Sequence, residues 1–224
     1  MASDPTAPPA HDRWDPEPRW PALIAVLAVG GLYFALPPYL TIGPRWLFPA
    51  VVITLLIPTI VTHRAGLHAL NLFLGFTVTV LVTLGMIVSV VLLIQALPTK
   101  KESPTELLFS ATAIWITNIL VFALWYWRLD AGGPHGRESR RGHVEGAFLF
   151  PQMTLRPESK AAARHDTWSP NFVDYLFLAF TTSTAFSPTD TPVLARWGKV
   201  LIMLQSLISL TVLALLAARA VNIL

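Results

Sequence analysis

The residues best placed to do chemistry lie in one short stretch near the C-terminus. Thr181, Thr182, Ser183 and Thr184 set four hydroxyls in a row, and Ser187, Pro188, Thr189 and Asp190 follow. In apolar surroundings such hydroxyls either line a polar cavity or bond back to carbonyls of their own helix. Asp174 and Asp190 flank the stretch. At a pore mouth, carboxylates concentrate cations. The same positions suit helix ends, where Asp174 would meet the positive end of a helix dipole and Asp190 would close a turn. Three more polar residues, Asn118, Gln205 and Ser209, fall inside long apolar runs. There a polar side chain either bridges helices or touches a permeant group.

Other chemistries find no support. The chain has no cysteine, which removes disulfides, thiolate metal sites and thiol nucleophiles. His63 and His68 are five apart, and His135, His143 and His165 fall in a polar stretch without metal-ligand spacing. Neither a metal nor a cofactor is expected. Without a G-x-S-x-G, P-loop or G-x-G-x-x-G pattern, the expectation is a non-enzymatic protein.

The elements that position these residues follow from composition. Of 224 residues, 54% are apolar and 13% charged, with a mean hydropathy of +0.56. A soluble domain carries about 25% charged residues. The apolar residues come in long blocks, so the chain reads as an all-α, polytopic transmembrane helical bundle. The net charge of +3 fits orientation charges and not a nucleic-acid partner. Asp4, Asp12, Asp15 and Glu17 occupy the place of a basic leader region, so the first helix is expected to stay in the mature protein.

Four regions are expected. Residues 1–20, with five prolines, read as a flexible tail. Residues 21–128 hold four spans: Pro21 to Leu40, Trp46 to Thr62 with Pro58 inside, Leu70 to Leu97, and Thr105 to Trp127. The third has 28 residues and would reach about 42 Å, beyond a ~30 Å hydrocarbon core. The fourth ends in Trp125-Tyr126-Trp127-Arg128, an aromatic belt with a snorkelling cation. Residues 129–170 read as an irregular polar loop carrying Arg137, Arg140 and Arg141. Residues 171–224 hold the short Thr-rich helix and a final transmembrane helix from about Val193 to Leu224. That makes five long spans plus a short segment, 171–187, which is either re-entrant or a sixth transmembrane helix. On the last helix Ser206, Ala214, Ala218 and Asn222 form a small-residue stripe suited to close packing or to a pore lining.

Phe172–Asp190 reads F-V-D-Y-L-F-L-A-F-T-T-S-T-A-F-S-P-T-D. This resembles the pore helix and filter of bacterial two-helix potassium channels, D-x-L-Y-F-S-x-x-T-x-T-T-V-G-Y-G-D. Asp174, Tyr175, Phe177, Phe180, Thr181, Thr182, Thr184 and Asp190 match in order. The filter glycines fall on Ser187 and Thr189, and the filter tyrosine on Pro188. Those residues resist the backbone angles that aim carbonyls at a pore, so the resemblance implies a degenerate, non-potassium-selective filter. The order F-A-L-W-Y-W-R-L-D, G-G-P, F-L-F-P, T-A-F-S-P-T-D and a last helix with V-N also resembles an uncharacterised family of bacterial integral membrane proteins. That resemblance implies no particular activity.

The chain is thus expected in the bacterial cytoplasmic (inner) membrane, as a non-enzymatic integral protein or, alternatively, a channel-like pore or transport protein. Its partners would be the lipid bilayer and, for a pore, further copies in a homo-oligomer and a permeant ion. Arg13, Arg19, Arg64, Arg128, Arg137, Arg140, Arg141, Arg156, Lys160 and Arg164 gather on the N-terminal side of the spans. The positive-inside rule then places the tail and long loop in the cytoplasm, whereas the potassium-channel pattern would place that loop outside.

Overall fold

The computed structural model describes residues 17–96, 103–138, 146–155, 168–188 and 190–221. The described residues form an all-helical bundle whose only pairing of extended backbone is an isolated bridge between Phe148 and Val193. Residues 1–16 of the tail, Thr189, Asn222 and the charged turn at 100–102 lie outside the described residues, as do Arg140 and Arg141 of the long loop.

Helix α1 spans Trp20–Ala35, with Pro21 in its first turn. It stops before Pro37 and Pro38, and a 3₁₀ turn covers Pro38–Leu40. Helix α2 covers Leu47–Arg64 and stays helical through Pro58. Helix α3 runs unbroken over His68–Ala96, 29 residues, matching the overlong third span. Helix α4 spans Pro104–Leu129. Its start is fixed by a capping box in which Glu106 N donates to Ser103 Oγ and Ser103 N donates to Glu106 Oε2. The short α5, Gly133–Glu138, follows. Helix α6 covers Phe172–Ala185 and α7 covers Arg196–Val221.

Among the described residues four helices, α2, α3, α4 and α7, are long and apolar enough to cross a membrane. Helix α1 has 16 residues and is shorter than the span of about 20 residues that the sequence reading assigned to 21–40. The bundle therefore contains four long apolar helices where five were expected. Pro37-Pro38 end α1 early, because neither nitrogen can donate to a preceding turn.

Helix α4 is the central post. It packs against α1, α3, α6 and α7. Val121, Ala123, Leu124 and Tyr126 on it are fully buried. Successive residues on a helix point about 100° apart, and its terminal aromatics use this. Trp125 Nε1 donates to Thr83 Oγ1 of α3, Tyr126 reaches α7, and Trp127 Nε1 donates to Glu17 ahead of α1. Arg128 does not snorkel outward. Its Nε donates to Thr79 Oγ1 of α3, and its guanidinium lies where a side chain on Gly75 would sit.

The chain leaves α4 through a tight reversal. Ala131 has φ 51°, Gly132 79° and Gly133 76°. Arg137 then folds back, and its Nη1 donates to the carbonyls of Trp127 and Asp130, both at 2.9 Å. A Cβ on Gly133 would stand 2.7 Å from the Arg128 carbonyl oxygen, whereas one on Gly132 would meet nothing within 4 Å. Gly133→Ala is therefore expected to destabilise the fold by about 2–3 kcal/mol, and Gly132→Ala by about 1 kcal/mol. Thermal unfolding of the purified variants in detergent checks the ranking.

Candidate functional site

The short Thr-rich helix begins at a built N-terminus. Asn171 Oδ1 accepts from Val173 N at 2.8 Å, and Asp174 Oδ2 accepts from Asn171 N at 2.8 Å. Asp174 therefore serves as the helix-end carboxylate of a capping box. One turn on, the buried Tyr175 hydroxyl donates to Asp130 Oδ2 at 2.6 Å, at the end of α4.

The other oxygen of Asp130 accepts from Ala147 N at 2.5 Å. Residues 147–149 pair with the chain just ahead of α7: Leu149 N donates to the Pro192 carbonyl and Leu194 N to the Ala147 carbonyl. Phe148 also packs edge-on against Tyr126, Tyr175 and Trp197. Helices α6 and α7 thus both start at the end of the bundle where α4 finishes.

The far end of α6 lies beside Gln205. Gln205 Nε2 donates to the Ala179 carbonyl at 2.7 Å and to Ser183 Oγ at 2.8 Å. Gln205 is nine residues into α7, so α6 penetrates to about 14 Å from the start of α7. There Phe186 takes φ 54°, ψ 25° and ends the helix. Residues 186–188 and 190–195 then lie on the way back to the end the chain came from, where Leu194 N reaches the Ala147 carbonyl. Thr184, Ala185, Phe186 and Ser187 are exposed at the deep tip of this hairpin. Asp190 is exposed on the return segment, in a turn where Thr191 N donates to the Pro188 carbonyl.

The Thr hydroxyls do not converge on a ligand. Thr181 Oγ1 and Thr182 Oγ1 donate to the Leu178 carbonyl, and Thr184 Oγ1 donates to the carbonyls of Phe180 and Thr181. Of the four hydroxyls, that of Ser183 links to another helix.

Asn118, Gln205 and Ser209 come together. Asn118 Nδ2 donates to the Gln205 carbonyl at 3.2 Å and to Ser209 Oγ at 2.9 Å. Tyr126 donates to Gln205 Oε1 at 2.5 Å. All four residues have 0% exposure. Asn118 Oδ1 and Ser206 Oγ are buried with no partner among the described residues. Gln205 therefore joins α4, α6 and α7 through one carboxamide, using both donor hydrogens and the acceptor. Of the small-residue stripe on α7, Ala214 and Ala218 are exposed and Ser206 is half-buried.

Sequence reasoning missed the anchoring residues. Asp130, Tyr175 and Phe148 hold the hairpin, and Arg137 sits beneath it with its guanidinium 5.1 Å from the Tyr175 ring centroid. Arg137 Nη2 pairs with Glu17 Oε2 at 2.9 Å, and Arg19 Nη2 with Glu138 Oε2 at 2.9 Å. These pairs join the chain ahead of α1 to α5. Burial pushes the Glu17 carboxyl above its ordinary range, against the opposing pull of Arg137. The signal was present in F-L-F-P, an apolar patch inside a polar loop. No group of three or more metal-ligating side chains occurs among the described residues.

Gln205→Leu leaves Tyr126 and Ser183 without their buried partner. The expected loss is about 1–3 kcal/mol, read as a lower thermal midpoint in detergent, whereas Thr184→Val should lie within about 0.5 kcal/mol of the parent. The chain matches no family model, no curated protein and no solved structure.

Proposed function

We propose that this chain is the subunit of a homo-oligomeric, non-enzymatic membrane pore. In this reading α6 and the returning residues 186–188 and 190–195 form a re-entrant hairpin in a bacterial cytoplasmic membrane. The supporting observation is the exposed, non-helical tip of that hairpin, level with the middle of the long apolar helix α7. Irregular backbone at membrane depth persists only where protein buries it or water bathes it. Within one chain Phe186 is 45% exposed, and Thr184 and Ser187 are exposed beside it. Further copies around a water-filled axis satisfy both conditions. Helix α7 suits the inner position, since Met203, Leu207 and Leu210 are each more than half exposed.

The permeant species follows from the lining. Ser187 and Pro188 replace the residues that would turn carbonyls inward, so the pore would not dehydrate potassium selectively. Asp190 supplies negative charge on the return segment and would favour cations. Arg19, Arg64, Arg137, Arg196 and Lys199 lie toward the end from which the hairpin enters. The positive-inside rule makes that end cytoplasmic.

Purified protein in liposomes is expected to pass monovalent cations, and Asp190→Asn to lower the cation flux severalfold. Because the parent has no cysteine, Ser187→Cys gives a clean probe. Mild oxidation should link copies pairwise, and a membrane-impermeant thiol reagent should block flux. Absence of both flux and cross-linking would overturn the pore and leave an accessory or scaffold role.

A further inference from the structure

A second feature lies away from the hairpin, where α1, α2, α3 and the end of α4 meet. It is a cavity of about 270 Å³, near the lower end of the small-molecule range. Its mouth carries Arg19, His63, Arg64, His68 and His135, Arg128 lines it from a buried position against α3, and no carboxylate is in its lining. Deeper walls are apolar: Val26, Leu56, Ile60 and Leu72.

The mouth is built of donors. Arg19 Nη1 lies 3.0 Å from His63 Nδ1. A guanidinium only donates, so His63 Nδ1 accepts and the ring proton sits on Nε2, a further donor. Arg19 Nη2 is held by Glu138, but Arg19 Nε is buried with no partner among the described residues. His68 and His135 stack at 4.0 Å beside it. The N-terminus of α1 opens at the same place without a side-chain cap, so its dipole adds to the positive field.

We infer that this cavity binds an anionic phospholipid, with the headgroup phosphate among Arg19, His63 and Arg64 and the start of an acyl chain along Val26, Leu56 and Ile60. Charge complementarity selects an anion, since Arg64 and the Arg19 Nε beside it face a lining without a carboxylate, Glu138 being engaged by Arg19 Nη2, and such donors suit phosphate oxygens. The walls select a lipid over a free ion. A soluble phosphate gains nothing from four aliphatic side chains, whereas an acyl chain continues from them onto the exposed apolar faces of α1 and α2, where Leu27, Ile53, Ile57 and Val61 are 49–59% exposed. Basic pockets between transmembrane helices bind lipid headgroups by this combination.

The test uses the full chain, delipidated in a neutral detergent, with binding followed by native mass spectrometry. Phosphatidylglycerol should bind at least tenfold more tightly than phosphatidylcholine. Arg64→Gln, on an exposed side chain at the end of α2, should weaken phosphatidylglycerol binding fivefold or more, and Arg19→Gln at least as much. Lys199→Gln, a cation at the same end of the bundle but away from the cavity, should leave it unchanged. Inorganic phosphate at millimolar concentration should not displace the lipid. Equal binding of the two lipids, equal effects of Arg64→Gln and Lys199→Gln, or displacement by inorganic phosphate would each overturn the inference. Failure here leaves the pore reading untouched, because the pore rests on the tip of α6 and on Asp190, neither of which lines this cavity.

Discussion

The structure depends on one carboxamide. Gln205 stands where α4, α6 and α7 meet, accepts from Tyr126 and donates to Ala179 and Ser183. A helix of 14 residues with exposed residues at its tip has little to hold it in place by itself. In an apolar surrounding each unmet polar group is expensive, so the depth at which α6 stops is set by where those donors and acceptors meet. Asn118 and Ser209 extend the network by one helical turn and fix the rotation of α7 against α4. Much of the remaining contact is apolar packing, which tolerates sliding more easily than a hydrogen-bond set that fits in one register, and the links from Trp125 and Arg128 to α3 fix α4 in the same way.

Much of this was legible in the sequence. Hydropathy blocks and proline punctuation located α2, α3, α4 and α7 to within a few residues, because span length and the missing proline donor are local properties. Asn118, Gln205 and Ser209 stood out as polar residues in apolar runs, and they meet. What they meet was not legible. Their partners lie 22 to 91 residues away, and no periodicity reports such distances.

The direction of α6 was hidden for a related reason. Its length is equally compatible with crossing or turning back. The pairing of residues 147–149 with 192–194 returns the chain to the end of the bundle where α6 begins, and it joins a polar loop to a turn. The hydroxyl run left two readings open, and the structure takes the one that bonds back to the helix. Four adjacent hydroxyls look like ligands, yet three return to carbonyls three or four positions back, the default of Thr in apolar helices. The W-Y-W-R run was read as a belt facing lipid because composition reports residue type and not the 100° step that sends each ring to a different neighbour.

Asp130 gives the bundle a mechanical property. One of its oxygens holds the backbone of the long loop and the other holds the first turn of α6, while the loop in turn grips the chain ahead of α7. The carboxylate is buried, so neither bond can be exchanged for water without opening the protein around it. Loop and hairpin are therefore geared together, with Asp130 as the pin on which both turn, and a displacement of the loop would bear on α6 about three helical turns before its tip.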